Sequence, residues 1–252
     1  AAFGTDSLTG GNGSDHLAFY DLSVDDHMDG GLGVDTAHLQ GTDSSLDIIL
    51  SADASGKLIG NIDGVSLDIT SIEGLTTFVG GSGDDTVDVS GLSSQGNASL
   101  SGRIGDDILT GGAGDDYLFG GEGQDDLAGG DGSDTIYGDG GADRFIFANG
   151  DTGSDTIADF NASDFDVLDL TDLLSGIAVS GENGENLDAY LNFSLSGSDA
   201  ILEVDVDGAI DLNGSVAEQT IILSGQSALV SGLSDVQIIN NLLTDGNLDL
   251  II

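Results

Sequence analysis

A large apolar residue occupies the eighth position of every nine-residue unit between residues 102 and 146. Because side chains of a β-strand point alternately to its two faces, a three-residue strand buries only its central residue. Six residues rich in glycine and aspartate separate one such strand from the next, and such clusters predict turns. The pattern therefore predicts very short strands joined by tight turns. The apolar positions are Leu109, Leu118, Leu127, Ile136 and Phe145.

The unit has the form G-G-x-G-x-D-x-U-x, where U is the large apolar residue. Five copies run without a gap over 102–146: GRIGDDILT, GGAGDDYLF, GGEGQDDLA, GGDGSDTIY and GDGGADRFI. Another copy follows at 150–158, and separate copies lie at 10–18, 30–38 and 80–88. Two units make one coil of 18 residues, so each turn stacks on the second turn after it, with strands about 4.8 Å apart. The sequence therefore predicts an all-β fold built on a parallel β-roll, a form of β-solenoid.

Two segments depart from the repeat. Residues 39–79 keep only short apolar alternation, as in LDIIL and KLIGNIDGVSLDIT, which predicts strands. After residue 158 the chain predicts further strands and one short helix over about 235–243, capped by Ser234 and ended by Gly246. We therefore predict four segments: a first repeat block (1–39), a β-rich solenoid segment without ion sites (40–79), the main β-roll (80–158) and a mainly β cap (159–252).

The charge of the chain restricts its partners. It has 46 acidic residues against 3 lysines and arginines, a formal net charge of −43. This charge repels nucleic acid and anionic lipid, and cations are the natural partners. No cysteine can form a disulfide, and no apolar run reaches the roughly 18 residues of a membrane span. The chain begins at Ala1, inside a partial repeat, and we interpret it as the monomeric C-terminal end of a longer protein.

The turn residues indicate calcium chemistry. Glycine tolerates positive φ and leaves neighbouring carbonyl groups unshielded, so several carbonyl oxygens can converge on one point. The aspartate at position six adds charged oxygens there. A set of hard oxygen ligands without His or Cys favours Ca²⁺, whereas Mg²⁺ needs stricter octahedral geometry. We therefore expect several calcium ions between stacked turns.

These units resemble the repeats-in-toxin (RTX) nonapeptide, which binds calcium in the family. The downstream string SDTIADFNASDFDVLDLTDLL resembles the type I secretion target domain at the C-terminus of large RTX adhesins. Its matching residues are Asp155, Ile157, Asp159, Phe160, Asp166, Leu168, Asp169 and Leu170, followed by LDAYLNF and AILEVDVDG. No HExxH, GxSxG or P-loop string occurs, and we expect a non-enzymatic module. The resemblance implies that it passes through an ABC transporter and an outer-membrane channel. It also implies folding on calcium outside a Gram-negative cell.

The same resemblance implies the ligands. The carboxylates would come from Asp107, Asp116, Asp125, Asp134, Asp143 and Asp155, and in the weaker units from Asp15, Asp35 and Asp85. The carbonyl groups would come from Gly10, Gly13, Gly80, Gly83, Gly111, Gly112, Gly114, Gly120, Gly121, Gly123, Gly129, Gly130, Gly132, Gly138 and Gly140.

Some positions depart from the pattern. Arg103 and Asp139 replace the second glycine, and the cation of Arg103 predicts an empty ion site beside it. Ala37 is small for a U residue. The extra residues 147–149 interrupt the 18-residue coil and leave the pairing of the Asp155 turn open.

Two other functions remain open. A flat solenoid face could bind polysaccharide, ice or a cell surface, but this needs a regular rank of outward side chains. Positions seven and nine of the tandem units vary from Ile/Thr to Arg/Ile and form no such rank. The module could also accompany a secreted enzyme whose catalytic domain lies upstream. A zinc site from His16, His27 and His38 is the weaker interpretation, because outward or linker positions explain all three.

Overall fold

The structure is a computed structural model that describes residues 7–20, 27–32, 35–41, 47–52, 58–62, 65–70, 74–91, 97–175, 187–205 and 219–249. The strands are β1 (Ser7–Asn12), β2 (His16–Phe19), β3 (His27–Leu32), β4 (Thr36–Gln40), β5 (Asp47–Ala52), β6 (Leu58–Ile62), β7 (Val65–Thr70), β8 (Gly74–Val79), β9 (Thr86–Gly91), β10 (Ser99–Ile104), β11 (Ile108–Thr110), β12 (Tyr117–Gly123), β13 (Asp126–Ala128), β14 (Thr135–Gly141), β15 (Arg144–Ile146), β16 (Gly153–Ile157), β17 (Val167–Asp169), β18 (Leu191–Ser196), β19 (Asp199–Val204), β20 (Gln219–Leu223) and β21 (Leu248–Asp249). The helices are two 3₁₀ turns (Ala162–Asp164 and Leu187–Ala189), α1 (Ser227–Val230) and α2 (Asp235–Asp245).

Within the described residues these strands form two sheets. The first sheet has eleven strands in the order β1-β3-β7-β6-β5-β9-β11-β13-β15-β17-β21. The second has ten, in the order β18-β19-β20-β16-β14-β12-β10-β8-β4-β2. Neighbouring repeats pair in parallel, and successive units alternate between the sheets, so the predicted parallel β-roll is confirmed.

The register of the main block follows the repeat. Tyr117 pairs with Ser99 and with Thr135, a step of 18 residues on each side. The extra residues 147–149 lengthen the next step, because Thr156 pairs with Thr135. The stack therefore absorbs the insertion in a turn, and β16 continues the second sheet.

The core consists of two apolar ladders, one from each sheet. In the second sheet, Leu100, Leu118, Ile136 and Ile157 are paired in sequence and fully buried. In the first sheet the U residues Val87, Leu109, Leu127 and Phe145 form the facing ladder, also fully buried. Ala37 is buried as well, so a small residue holds a core position in the early block. In the three-residue strands β11, β13 and β15 only the central residue is buried, as predicted.

Residues 39–79 form the predicted strands, but part of their pairing is antiparallel. β5 pairs with β6 and β6 with β7 in antiparallel fashion, while β5 joins β9 and β7 joins β3 in parallel. β8 lies in the second sheet between β4 and β10. An antiparallel insertion thus occupies the first sheet between the early and main repeats.

Both sheets continue beyond residue 158. β17 pairs in parallel with β15 and β21, and β20 pairs in parallel with β16. The antiparallel strands β18 and β19 then extend the second sheet from β20. The Arg144 side chain contacts the carboxylates of Asp169 and Asp249 across three strands of the first sheet. The predicted division of the chain into four segments stays a prediction.

The predicted helix is α2. The backbone N–H of Ser234 donates to Gln237 Oε1 at 3.0 Å, and Gly246 ends the helix in the left-handed conformation at φ 79°. Ile238, Ile239 and Leu242 are its buried residues, whereas Val236 is only half-buried. Within the described ranges, no helix combines the length and apolar character needed to cross a membrane.

Candidate calcium sites at the turns of the roll

Every aspartate at position six of the main block is buried and takes part in a hydrogen-bonded ladder. From Asp107 onward, its Oδ1 atom accepts the backbone N–H of the equivalent residue one coil earlier on the same edge. Asp107 N–H donates to Asp125 Oδ1 at 2.8 Å, and Asp125 N–H donates to Asp143 Oδ1 at 3.1 Å. The carboxylate of each coil therefore fixes the turn of the coil before it.

The alternation of units produces two such ladders. The long ladder contains Asp85, Asp107, Asp125, Asp143 and Asp166, with hydrogen-bond distances of 2.7–3.1 Å. The short ladder contains Asp116, Asp134 and Asp155, and its first carboxylate accepts the Ala98 N–H at 2.7 Å. Asp15 and Asp35 repeat the arrangement in the early block, because Asp15 N–H donates to Asp35 Oδ1 at 2.7 Å.

The second carboxylate oxygen, Oδ2, faces the glycine at position one of its own unit. A Cβ atom placed on Gly120 would overlap Asp125 Oδ2 and lie 2.9 Å from the carbonyl oxygen of Gly138, one coil further on. Gly111 relates in the same way to Asp116 Oδ2 and the Gly129 carbonyl. A charged oxygen and a carbonyl oxygen thus converge on a space that only glycine leaves open. We call this space the cradle.

Oδ2 faces the position-one glycine in the other units as well, and a carbonyl oxygen joins it at Gly10 and Gly80. The members whose added Cβ would meet the Oδ2 atom of their own unit are Gly10, Gly80, Gly102, Gly111, Gly120, Gly129 and Gly138.

Several of these Oδ2 atoms have no hydrogen-bond partner among the described residues. This holds for the buried Oδ2 atoms of Asp15, Asp107, Asp125 and Asp134. At Asp85 and Asp116 the oxygen accepts the position-two N–H instead, from Gly81 at 2.9 Å and Gly112 at 2.8 Å. A buried carboxylate oxygen without a donor is unfavourable unless a cation binds it. Hard oxygens from one carboxylate and nearby carbonyls fit Ca²⁺.

The other turn glycines allow the coils to approach closely. At position four, Gly123 has φ 151°, and a Cβ there would overlap the carbonyl oxygen of Gly105 in the preceding coil. Gly13, Gly114 and Gly132 share the positive φ at this position, and Gly121 and Gly130 share it at position two. In the unit at 138–146, the position-four conformation belongs to Gly141, whereas Gly140 lies at position three. The Gly83 carbonyl faces Gly105 of the next coil.

The two non-glycine residues at position two adopt the conformation that glycine would. Arg103 has φ 83° and Asp139 has φ 64°. A left-handed backbone costs a non-glycine residue about 1–2 kcal/mol. The Arg103 side chain is exposed, while its carbonyl oxygen packs against Gly121. An empty ion site beside Arg103 stays a prediction.

Burial raises the pKa of the ladder carboxylates when no cation is bound. Desolvation raises the pKa of Asp107 and Asp143 to about 7, of Asp134 to about 8 and of Asp125 to about 6. Hydrogen bonds from backbone N–H groups oppose this effect, and neighbouring carboxylates add to it. Ionised carboxylates in these positions therefore need positive charge nearby.

Several ladder and turn residues escaped sequence reasoning. Asp166 follows Asp143 in the long ladder after a step of 23 residues, outside any nonapeptide. Asp159 accepts the N–H groups of Gly138 and Asp139 at 3.0 and 2.8 Å. The repeat pattern gives no signal for either of these residues. Gly102 and Gly105 did carry that signal, since they hold positions one and four of the GRIGDDILT unit.

The histidines do not form one site. His16 and His38 lie on the outer side of β2 and β4, where His16 Nδ1 is 2.9 Å from Thr36 Oγ1, and His27 lies in β3 of the other sheet. Across the described part of the chain, no three His, Cys, Asp or Glu side chains gather as a metal site. The cradle offers one carboxylate and backbone carbonyls, so such a gathering is not expected there.

One known repeat family matches several segments of this chain. The profile of the RTX calcium-binding nonapeptide repeat matches four segments, residues 2–18, 74–91, 93–127 and 119–157. Among solved structures, the AlgE6R3 subunit of the Azotobacter vinelandii mannuronan C5-epimerase is similar at 27% identity. The similarity covers 68% of this chain and 80% of that one, with a TM-score of 0.24. No curated protein matches the sequence significantly. The chain thus carries RTX calcium-binding nonapeptide repeats in these segments of its β-roll.

Proposed function

We propose that this chain is the C-terminal module of a secreted RTX adhesin, which directs type I secretion and folds when it meets extracellular calcium. The observation that carries the calcium part is the row of buried Oδ2 oxygens without donors, at Asp107, Asp125 and Asp134, each beside a position-one glycine. Without cations each of these carboxylates lies about one coil from the next carboxylate of its own ladder, in a chain of net charge −43, and their repulsion destabilises the stack.

The two oxygens of each ladder carboxylate would have different roles. Oδ1 of each ladder aspartate holds the turn before it, and Oδ2 together with glycine carbonyl oxygens would hold the ion. Calcium supplies the positive charge that offsets the carboxylates and joins consecutive turns. The U side chains then close the core between the sheets. Since sites of extracellular modules bind calcium at about 10⁻⁴–10⁻³ M, the roll should fold outside the cell and stay unfolded in a low-calcium cytosol.

The export part of the proposal rests on the string at 154–174, which resembles the type I secretion target domain. The proposed partners are an ABC transporter and an outer-membrane channel, and the proposed location is the surface of a Gram-negative cell. We propose a monomer that binds neither nucleic acid nor the membrane interior, consistent with its strong negative charge. That the chain is not an enzyme also stays a prediction.

Calcium-coupled folding can be tested by circular dichroism on the full chain. In EGTA the spectrum should be that of a mostly disordered chain, and millimolar calcium should restore β-structure in one cooperative transition. Magnesium at the same concentration is the control and should not replace calcium. A strong β-spectrum that persists in EGTA would contradict the calcium part of the proposal.

Export needs a separate test in a cell that carries a type I secretion system. The full chain should appear in the medium, whereas residues 1–158 alone should stay inside. The purified 1–158 fragment should also need more calcium to fold, because it lacks β17, β20 and β21. Export of the fragment at the level of the full chain would refute the secretion role and leave the calcium role intact.

One observation favours ligand binding as a second candidate. The rings of Phe119 and Tyr137 stack at 5.0 Å on the outer side of the second sheet, and Tyr117 beside them is 48% exposed. This aromatic patch spans only two coils. Binding of soluble glycans that is lost in Tyr117→Ala would favour this function over a purely structural one.

A further inference from the structure

Asp155 differs from the other ladder aspartates in the partner of its second oxygen. Its Oδ1 accepts the Asp134 N–H at 2.9 Å, as the ladder requires. Its Oδ2 accepts a hydrogen bond from Gln219 Nε2 at 2.5 Å. Both side chains are buried, with Asp155 2% exposed and Gln219 fully enclosed. Both oxygens of the Asp155 carboxylate therefore already accept hydrogen bonds, one of them from an amide in a distant part of the chain.

Ladder aspartates in neighbouring coils differ from Asp155 at this second oxygen. Asp134, one coil earlier in the short ladder, has a buried Oδ2 atom without a donor, and so has Asp125 in the long ladder. Both oxygens face a position-one glycine. Asp155 has the same Oδ1 bond and is also buried, but its Oδ2 meets the side-chain N–H of Gln219, and a Cβ on Gly150, at position one of its unit, would meet nothing within 4 Å among the described residues.

The backbone fixes Gln219 in this place. β20 pairs in parallel with β16, where Gln219 is opposite Gly153, and in antiparallel fashion with β19, where Gln219 is opposite Val204. Backbone pairing with strands on both sides therefore fixes the position of Gln219, independently of its side-chain contact with Asp155. The amide orientation follows from the carboxylate, because Oε1 in the same position would set two acceptors against each other. Oε1 itself has no hydrogen-bond partner among the described residues.

We infer that the side-chain amide of Gln219 takes the place of a calcium ion at the Asp155 level, so that the short ladder ends in a metal-free bond. An ion bound to Asp155 Oδ2 would have to displace Nε2, and the amide would then have to turn over so that Oε1 faces the ion, which leaves Nε2 without the acceptor that it now has. The hydrogen bond to a charged acceptor is also among the stronger kinds. The inference rests on the proposed calcium function, and it removes Asp155 from the predicted ligands.

The consequence is that calcium does not join the repeats to β20. The last coil of the short ladder is held to the antiparallel strands β18–β20 by backbone pairing and by this one side-chain bond. These elements can therefore assemble before any ion binds, and they present Asp155 Oδ1 to the coil before it.

Calcium stoichiometry of the full chain tests the inference, measured by equilibrium dialysis with metal analysis at saturating calcium. Asp155→Asn keeps an Oδ1 acceptor for the Asp134 N–H, and its Nδ2 can donate to Gln219 Oε1 once the amide turns over. It should bind as many ions as the wild type. Asp125→Asn is the matched control, because Asp125 Oδ2 has no hydrogen-bond partner among the described residues. This variant should lose one ion.

Loss of an ion in Asp155→Asn as well would overturn the inference. A wild-type chain that binds no calcium would instead refute the proposed function, so the two failures can be told apart. If Asp155→Asn does not fold, Gln219→Glu decides, since it replaces the donor by a second carboxylate. One ion more than in the wild type supports the inference, and an unchanged number overturns it.

Discussion

Replacing Gly120 by alanine should remove one calcium ion while leaving every carboxylate and carbonyl group in the chain. The added methyl group would lie in the cradle, against Asp125 Oδ2 and 2.9 Å from the Gly138 carbonyl oxygen. Gly120 does not have a positive φ, so the substitution introduces no backbone strain of that kind. Any loss of calcium would therefore come from the occupied space.

The magnitude follows from linkage between binding and folding. One site that binds only the folded chain stabilises it by RT ln(1 + [Ca²⁺]/Kd). With a Kd of about 10⁻⁴–10⁻³ M, a site saturated at about 10 mM calcium contributes about 1.4–2.7 kcal/mol. Gly120→Ala should lose this amount at about 10 mM calcium, and the loss should shrink as calcium is lowered toward Kd.

Gly140→Ala is the matched control. Gly140 lies in the turn of the 138–146 unit, also without positive φ, and its Cβ would meet nothing closer than 3.7 Å. Both variants restrict the unfolded chain by the same glycine-to-alanine change, so the difference between them isolates the cradle. Urea unfolding at several calcium concentrations gives the free energies, and metal analysis gives the number of ions. Equal ion counts and equal unfolding free energies in the two variants would refute the cradle as the calcium site.

Two further predictions follow from the same carboxylates. In EGTA, acid should favour the folded state, because burial raises the pKa of Asp107, Asp134 and Asp143 to about 7–8. Between pH of about 4 and 8 the folded chain holds protons that the unfolded chain has lost, so stability falls as pH rises through that window. Circular dichroism in EGTA should show more β-structure at pH 5 than at pH 8, and the reverse order would refute this prediction. Asp125→Ala, in the middle of the long ladder, should raise the calcium midpoint of folding more than Asp15→Ala in the interrupted early block, and equal shifts would contradict this ranking.

The roll itself could be predicted because one short period encodes it repeatedly. Leu118 and Ile136 are 18 residues apart, and the structure pairs them directly in the core. The position of Asp125 in a buried turn follows from the same period. Glycine at position one also follows, although its role as the wall of a cradle needs the stacked coils to be visible.

The features that escaped prediction come from contacts without a period. The antiparallel pairing of β5 with β6 depends on partners that alternation alone does not specify. Asp166 enters the long ladder after 23 residues, because a 3₁₀ turn at 162–164 lengthens the connection. Gln219 lies 64 residues from Asp155, and nothing in its neighbourhood of the sequence marks it as a partner.

The carboxylate ladders also have a direction. In every rung the later coil supplies the acceptor and the earlier coil supplies the N–H group, as in Asp107 to Asp125 and Asp116 to Asp134. If coils are removed from the N-terminal side, the N–H group of each remaining turn keeps its acceptor carboxylate in the next coil. If coils are removed from the C-terminal side, the coil that becomes last loses that acceptor. Coils can thus be added to the N-terminal side of a folded roll, where the acceptor carboxylates are already present. In a chain that left the cell C-terminus first, each new turn would find its acceptor already folded.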